Sequence, residues 1–222
     1  MTNSLKLGAI VAGVMLLLAT TAAVHAPTAT ASQFGRNLVR NGNAEANTGA
    51  ASDTQIVRPA DWRTTGQFTA VRYGIPGGFP DKHSPGPRNR GRNDFEGGNA
   101  PRSTATQSIS LLESAAAIRE GACRYTFSAW LGGWENQDDH ATATVTFLNA
   151  HGHGVGSVTL GPVTPQERHD VTGLLYRSRS GVAPKDATRA DVTIVITRYE
   201  GTYNDGSADN ISLVLMHSKS GR

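Results

Sequence analysis

The sequence predicts an all-β fold, an antiparallel sandwich of about nine or ten short strands. Three observations predict it. Apolar and polar residues alternate with period two in segment after segment. The joints between these segments are rich in Gly, Pro, Asn and Asp, the residues that make turns. Helical periodicity is almost absent; the Ala-rich stretch 112–119 supports one or two turns before Gly121.

In chain order, Asn37-Leu38-Val39-Arg40 reads as a short strand that ends in a Gly-containing turn and the carboxylate Glu45. Residues 41–52 are polar and turn-rich, and Gln55–Arg58 is a short strand candidate before Pro59. Trp62 is a core or sandwich-edge ring, because a large ring hides apolar area well. Phe68–Tyr73 is a stronger strand candidate. The stretch 74–101 has no periodicity and carries many Gly, Pro, Asn and Arg residues. A loop this long inside a compact domain often has a function. Strands are expected over 103–111, 124–131, 141–148, 155–160, 171–177, 190–199 and 210–216, with turn chemistry over 178–186. In the clearest strand Val192, Ile194 and Ile196 share one face, and Thr193, Val195 and Thr197 the other.

The chain has 222 residues, enough for one domain of ordinary size with a full core. Its formal net charge of +3 is too small to create a nucleic-acid-binding field. Residues 1–31 have the order of a secretory leader: Lys6, then the uncharged apolar run 9–24, then the small-x-small site Ala29-Thr30-Ala31 before Ser32. The apolar run is shorter than the ~20 residues a spanning helix needs. The expected organisation is a leader at 1–31, a sandwich domain at 32–216 and a frayed tail at 217–222, in a secreted, extracellular protein with no membrane span after cleavage. A single cysteine, Cys123, excludes an intramolecular disulfide and reads as a small buried apolar group.

Pattern alone does not choose between an immunoglobulin-like and a jelly-roll topology. Two stretches bear on the choice. Asn37-Leu38-Val39-Arg40-Asn41-Gly42-Asn43-Ala44-Glu45 and Ala208-Asp209-Asn210-Ile211-Ser212-Leu213 resemble the opening and closing signatures of galactose-binding-domain-like β-sandwiches. That superfamily includes many carbohydrate-binding modules of secreted proteins. Gly132-Gly133-Trp134 and Thr146-Phe147-Leu148 extend the resemblance to a group of secreted bacterial proteins built on this fold. The resemblance implies a jelly roll whose first and last strands meet, with a structural calcium ion shared by Glu45 and Asp209. The family's usual aromatic before the Glu is Ala44 here. Calcium takes hard oxygen ligands, so carbonyls of the Asn41–Asn43 turn are candidates to complete the site.

The expected function is non-catalytic binding of an extracellular glycan or polysaccharide. Sugar rings present apolar C–H faces to aromatic rings, while amides and guanidinium groups fix the hydroxyls. The candidates are Trp134, Asn136, Arg72, Tyr73 and Tyr203; Trp130 is left out because either face of its strand could hold it. The alternatives are a structural or adhesive domain with a cell-surface protein partner and, third, a glycan-processing enzyme. No G-x-S-x-G elbow, H-E-x-x-H or phosphate-binding glycine loop is present in the sequence. The acidic cluster Glu135, Asp138 and Asp139 reads as loop decoration, and His151-Gly152-His153 as a solvated hairpin tip. Arg88-Asn89-Arg90-Gly91-Arg92 reads first as a solvated loop and second as a grip for an anion.

Overall fold

A computed structural model describes residues 32–218 together with Met1; the leader expected at 1–31 and the last four residues lie outside the described residues. Ten strands form two antiparallel five-stranded sheets. The back sheet has the order β1 (Arg63–Thr65), β4 (Arg102–Ser110), β9 (Arg189–Thr197), β6 (His140–Leu148), β7 (Gly154–Leu160). The front sheet has the order β2 (Thr69–Arg72), β3 (Asn93–Glu96), β10 (Ser207–His217), β5 (Cys123–Gly133), β8 (Gly173–Val182). The helical elements among the described residues are a 3-10 turn, Leu112–Ser114, running into α1, Ala115–Arg119, and a second 3-10 turn, Gln166–Arg168.

The alternation seen in the sequence is the reason for this architecture. Val192, Ile194 and Ile196 of β9 face Phe127, Ala129 and Leu131 of β5 across one continuous core, and all six are fully buried. Gln107, like Ser103 on the same strand, is a polar residue on an inner face. Its amide donates to the carbonyls of Arg40 and Asp61 and accepts from the Arg40 N–H, so its burial leaves its donors and acceptor paired.

The opening and closing stretches do meet, as the resemblance implied, but the opening one is not a strand. It touches β10 through single bridges, Phe34 with Leu215 and Asn37 with Val214. The Asn37 amide substitutes for missing backbone partners by accepting from the Leu213 N–H and donating to the Ile211 carbonyl. Gly42 is required beside it, since a Cβ there would lie 2.2 Å from the Ile211 carbonyl oxygen.

Four other boundaries differ from the pattern reading. Gln55–Arg58 is irregular, and the true edge strand is β1. The stretch 74–101 contains β3, whose Asn-Asp-Phe-Glu sequence has no apolar alternation yet is buried throughout. β8 runs on to Val182 through the segment expected to turn, because an edge strand lined with Ser reads locally as a loop. β10 begins at Ser207 and includes His217, whose ring packs edge-on against Phe34 at 5.6 Å. Among the described residues, no helix is long and apolar enough to cross a membrane.

Candidate ligand-binding cleft

The outer face of the front sheet divides into an open half and a roofed half, and a bulge in β10 marks the boundary. On β5 the inward residues are Phe127, Ala129 and Leu131, so Ser128 and Trp130 point outward. Register then places Tyr176 of β8 directly opposite Trp130, and Ser178 and Ser212 on either side of Ser128. The Trp130 and Tyr176 rings lie 5.6 Å apart at 57°, and Tyr176 is 50% exposed. Asp209 pairs with Trp130 but Ser212 pairs with Ser128, so β10 carries one extra residue here. Asn210 absorbs it in the left-handed region at φ 50°, a conformation that Asn tolerates better than most side chains.

The result is an open cleft of about 430 Å³ on a floor of Trp130, Tyr176 and hydroxyls. One wall is the Asn41–Asn43 turn. The other is Asn89 from the long loop, whose side-chain oxygen accepts from the Asn210 amide at 3.2 Å. Asp, Glu, Lys, Arg and His are absent from the lining.

The roofed half lies over β2, β3 and the start of β10. Asp94, Glu96 and Asp209 are all essentially inaccessible there. Burial pushes all three carboxyls well above the usual carboxylate range, because the charged form loses its water. Asp209 adds to the rise at Asp94, Asp94 to that at Glu96, and Glu45 to that at Asp209. Asp209 is partly compensated by the Tyr73 hydroxyl at 2.8 Å, the Asn210 N–H at 2.6 Å and the nearby Arg90. Ser207 donates to Glu96 at 2.6 Å, whereas Oδ2 of Asp94 has no hydrogen-bond partner among the described residues. Asp205 sits at the margin, pushed up to about 7 by burial and by neighbouring Asp139.

The residues expected to hold a sugar are spread around the roof. Trp134 is half-buried with its ring against the Gly77-Gly78 turn, where a Cβ on Gly78 would lie 2.3 Å from the indole nitrogen. Tyr203 packs edge-on against Phe79 at 5.1 Å, and its hydroxyl is buried. Tyr73 turns its hydroxyl down onto Asp209. Asn136 is exposed in the loop after Trp134, and exposed Arg72 donates to the Gly49 carbonyl beside a separate depression containing Tyr73 and Arg92. These positions do not converge on the cleft.

Glu45 and Asp209 come to the same end of the front sheet, but each is already occupied. Glu45 accepts from the backbone N–H groups of Arg92 and Asn93 and pairs with the Arg92 guanidinium. The Asn41 carbonyl accepts from the Trp62 indole at 3.0 Å, and exposed Asn43 lines the cleft wall. Among the described residues no group of three His, Cys, Asp or Glu is placed to hold a metal ion.

Three other expectations meet a definite outcome. Asp139 is not decoration: it is fully buried and accepts from the N–H groups of Tyr199, Glu200 and Asp205, which shapes the loop before β10. His151 and His153 do form an exposed turn, and Cys123 is buried. Sequence reasoning missed the Trp130–Tyr176 pair. The available signal was the parity of Trp130 with Ser128 against the Phe127/Leu131 face; its partner on β8 required the register.

No protein-family model matches this chain, and no curated protein shows sequence similarity to it. Solved structures do share its architecture. A cyclase from Fischerella sp. TAU, in complex with an indolyl butanone, is 11% identical over 82% of this chain and 98% of its own, with a TM-score of 0.54. A family 16 carbohydrate-binding module is 18% identical over 80% of this chain and 99% of its own, with a TM-score of 0.49. The enzymatically active domain of tailspike protein 4 from bacteriophage CBA120 is 15% identical over 81% of this chain, with a TM-score of 0.47, and this chain spans 21% of that one. At such identities the likeness concerns architecture alone: this chain, a two-sheet antiparallel β-sandwich, shares its fold with the Fischerella cyclase.

Proposed function

We propose that the protein is a secreted, non-catalytic carbohydrate-binding domain whose ligand is a neutral extracellular glycan. The observation that carries this is the Trp130–Tyr176 pair on the floor of an open cleft walled by asparagines. Each ring offers an apolar face to the C–H face of a sugar ring, the two being inclined to each other at 57°, and amide and hydroxyl groups line the cleft around them. The lining favours binding over catalysis, because it offers no carboxylate or imidazole to move a proton. It favours a neutral ligand for the same reason: a uronate or sulfate would lose water without gaining a cation. The test is affinity electrophoresis in gels containing soluble xylan, β-glucan or galactomannan. Retardation of the wild type and its loss in Trp130→Ala is the expected result; equal mobility of both proteins in every gel rejects the proposal.

As part of this proposal, the calcium ion expected from the resemblance would be held by Glu45 and Asp209 in exchange for their contacts to Arg92 and Tyr73, with carbonyls of the Asn41–Asn43 turn as further candidates. The two carboxylates are close enough for Glu45 to raise Asp209, which a divalent cation would relieve. Bound there, calcium would supply charge neutralisation between the opening and closing stretches. Stabilisation by linkage is roughly 2.7 kcal/mol at a hundredfold excess over the dissociation constant. Chelator should lower the melting midpoint and calcium restore it; identical melting curves in chelator and calcium reject the site. Export with a mature end at Ser32 is part of the same proposal, and terminal sequencing of secreted material decides it.

A further inference from the structure

The long loop between β2 and β3 is braced internally by the Asp81 carboxylate, which accepts from His83 and Ser84, and across a wider span by Arg90. The Arg90 guanidinium is turned inward and donates to three carbonyls of its own loop, those of Asp81, Ser84 and Pro87. A guanidinium can do this because its donors fan out in a rigid plane; an ammonium cannot reach three fixed carbonyls on different sides. The same group lies 5.3 Å from the centre of the Tyr73 ring. From there the contacts form a closed circuit. The Tyr73 hydroxyl donates to Asp209, Asp209 accepts from the Asn210 N–H, and the Asn210 amide donates to Asn89, the neighbour of Arg90 in the chain. At the loop's far side the Pro85 carbonyl accepts from the Leu174 N–H at 2.8 Å, which docks the loop on the start of β8.

We propose that Arg90 is the positioning residue of the cleft, holding Asn89 against Asn210 so that the pair presents amide N–H donors and an amide oxygen acceptor to adjacent hydroxyls of a sugar. This rests on the reading of the cleft as a glycan site. Asn89 is exposed, and its side chain has no other hydrogen-bond partner among the described residues, so its place depends on the loop that carries it. Arg90 does not line the cleft. Its effect on ligand must pass through Asn89, which distinguishes it from a residue that grips an anion directly.

Two measurements test this separately from the glycan reading. Hydrogen exchange needs no ligand: in Arg90→Ala, amides across 74–92 should exchange about tenfold faster while those of β9 stay unchanged, as expected for loss of a local unit. Arg90→Lys should exchange like Arg90→Ala, because charge alone does not restore the fork. Wild-type exchange in Arg90→Ala, or full rescue by Lys, overturns the proposal. The second measurement is a double-mutant cycle on whichever polysaccharide retards the wild type. Arg90→Ala and Asn89→Ala should each weaken binding about tenfold, and the double variant should be no weaker than either, since coupled residues are not additive. A product of about a hundredfold, the additive outcome, overturns it. If no polysaccharide retards the wild type, the glycan reading fails, and the exchange experiment still decides whether Arg90 holds the loop.

Discussion

The two halves of the front sheet's outer face are made by neighbouring strands of one sheet and have opposite chemistry. Over β5 and β8 the face carries two rings and a row of hydroxyls, open to water. Over β2, β3 and the start of β10 it carries three carboxyls and is closed by the long loop. The open half resembles a surface kept clear for a flat ligand. The roofed half is a buried polar network, satisfied except at a few atoms such as Oδ2 of Asp94. The difference teaches that exposure and residue type in the sequence do not identify which rings line an open cleft. Trp134, Tyr73 and Tyr203 are aromatic and loop-borne, yet they fasten the roof; Trp130, inside a strand, supplies the open ring.

The sharpest way to break this comparison is to exchange the roles of the two tryptophans. Trp134→Ala should cost about 3 kcal/mol of stability by emptying the space under the Gly77-Gly78 turn, toward the lower end of the range for buried aromatic truncations. That corresponds to a fall in melting midpoint of roughly 6–12 °C for a domain of this size. A midpoint unchanged from wild type would show that Trp134 is a free platform.

Next comes pH. Asp205 has a folded-state pKa of about 7, above the ~3.9 of an unperturbed carboxyl. The folded chain therefore binds this proton more tightly than the unfolded chain. The stability it contributes is fully present below pH ~4 and is lost as pH rises toward ~7. Burial of Asp94, Glu96 and Asp209 acts in the same direction. In metal-free buffer the melting midpoint should fall by several degrees between pH 5 and pH 8, and Asp205→Asn should flatten the profile. A midpoint that rises over this interval would mean that the roofed half is ionised and paired.

In the open half, Trp130→Ala should leave the melting midpoint within a few degrees of wild type and cost about 1–2 kcal/mol in glycan affinity, a factor of roughly five to thirty. A large stability loss with intact affinity would reverse the assignment of the halves. The smallest effect belongs to Tyr176→Phe. Its ring remains and only the hydroxyl is lost, so affinity should fall by about fivefold or less, read by the same gel retardation.

Much of this was legible in the sequence. Period-two alternation specified the two inner faces, because the core is built from the strands themselves and each strand declares its own buried side. The closing stretch Ala208-Asp209-Asn210 and the opening Asn37–Glu45 stretch were recognisable, and they do lie together at β10. What the sequence could not reveal is which part of an outer face is covered. β3 escaped notice because its Asn-Asp-Phe-Glu sequence has no apolar alternation, and it is tertiary packing that buries all four residues. Tyr176 came to share the cleft floor with Trp130, forty-six positions earlier in the chain, only through its register. Alternation is a local property, fixed by the two-residue repeat of an extended backbone. The roof, the bulge at Asn210 and the pairing of Trp130 with Tyr176 are long-range, and tertiary contact alone decides them.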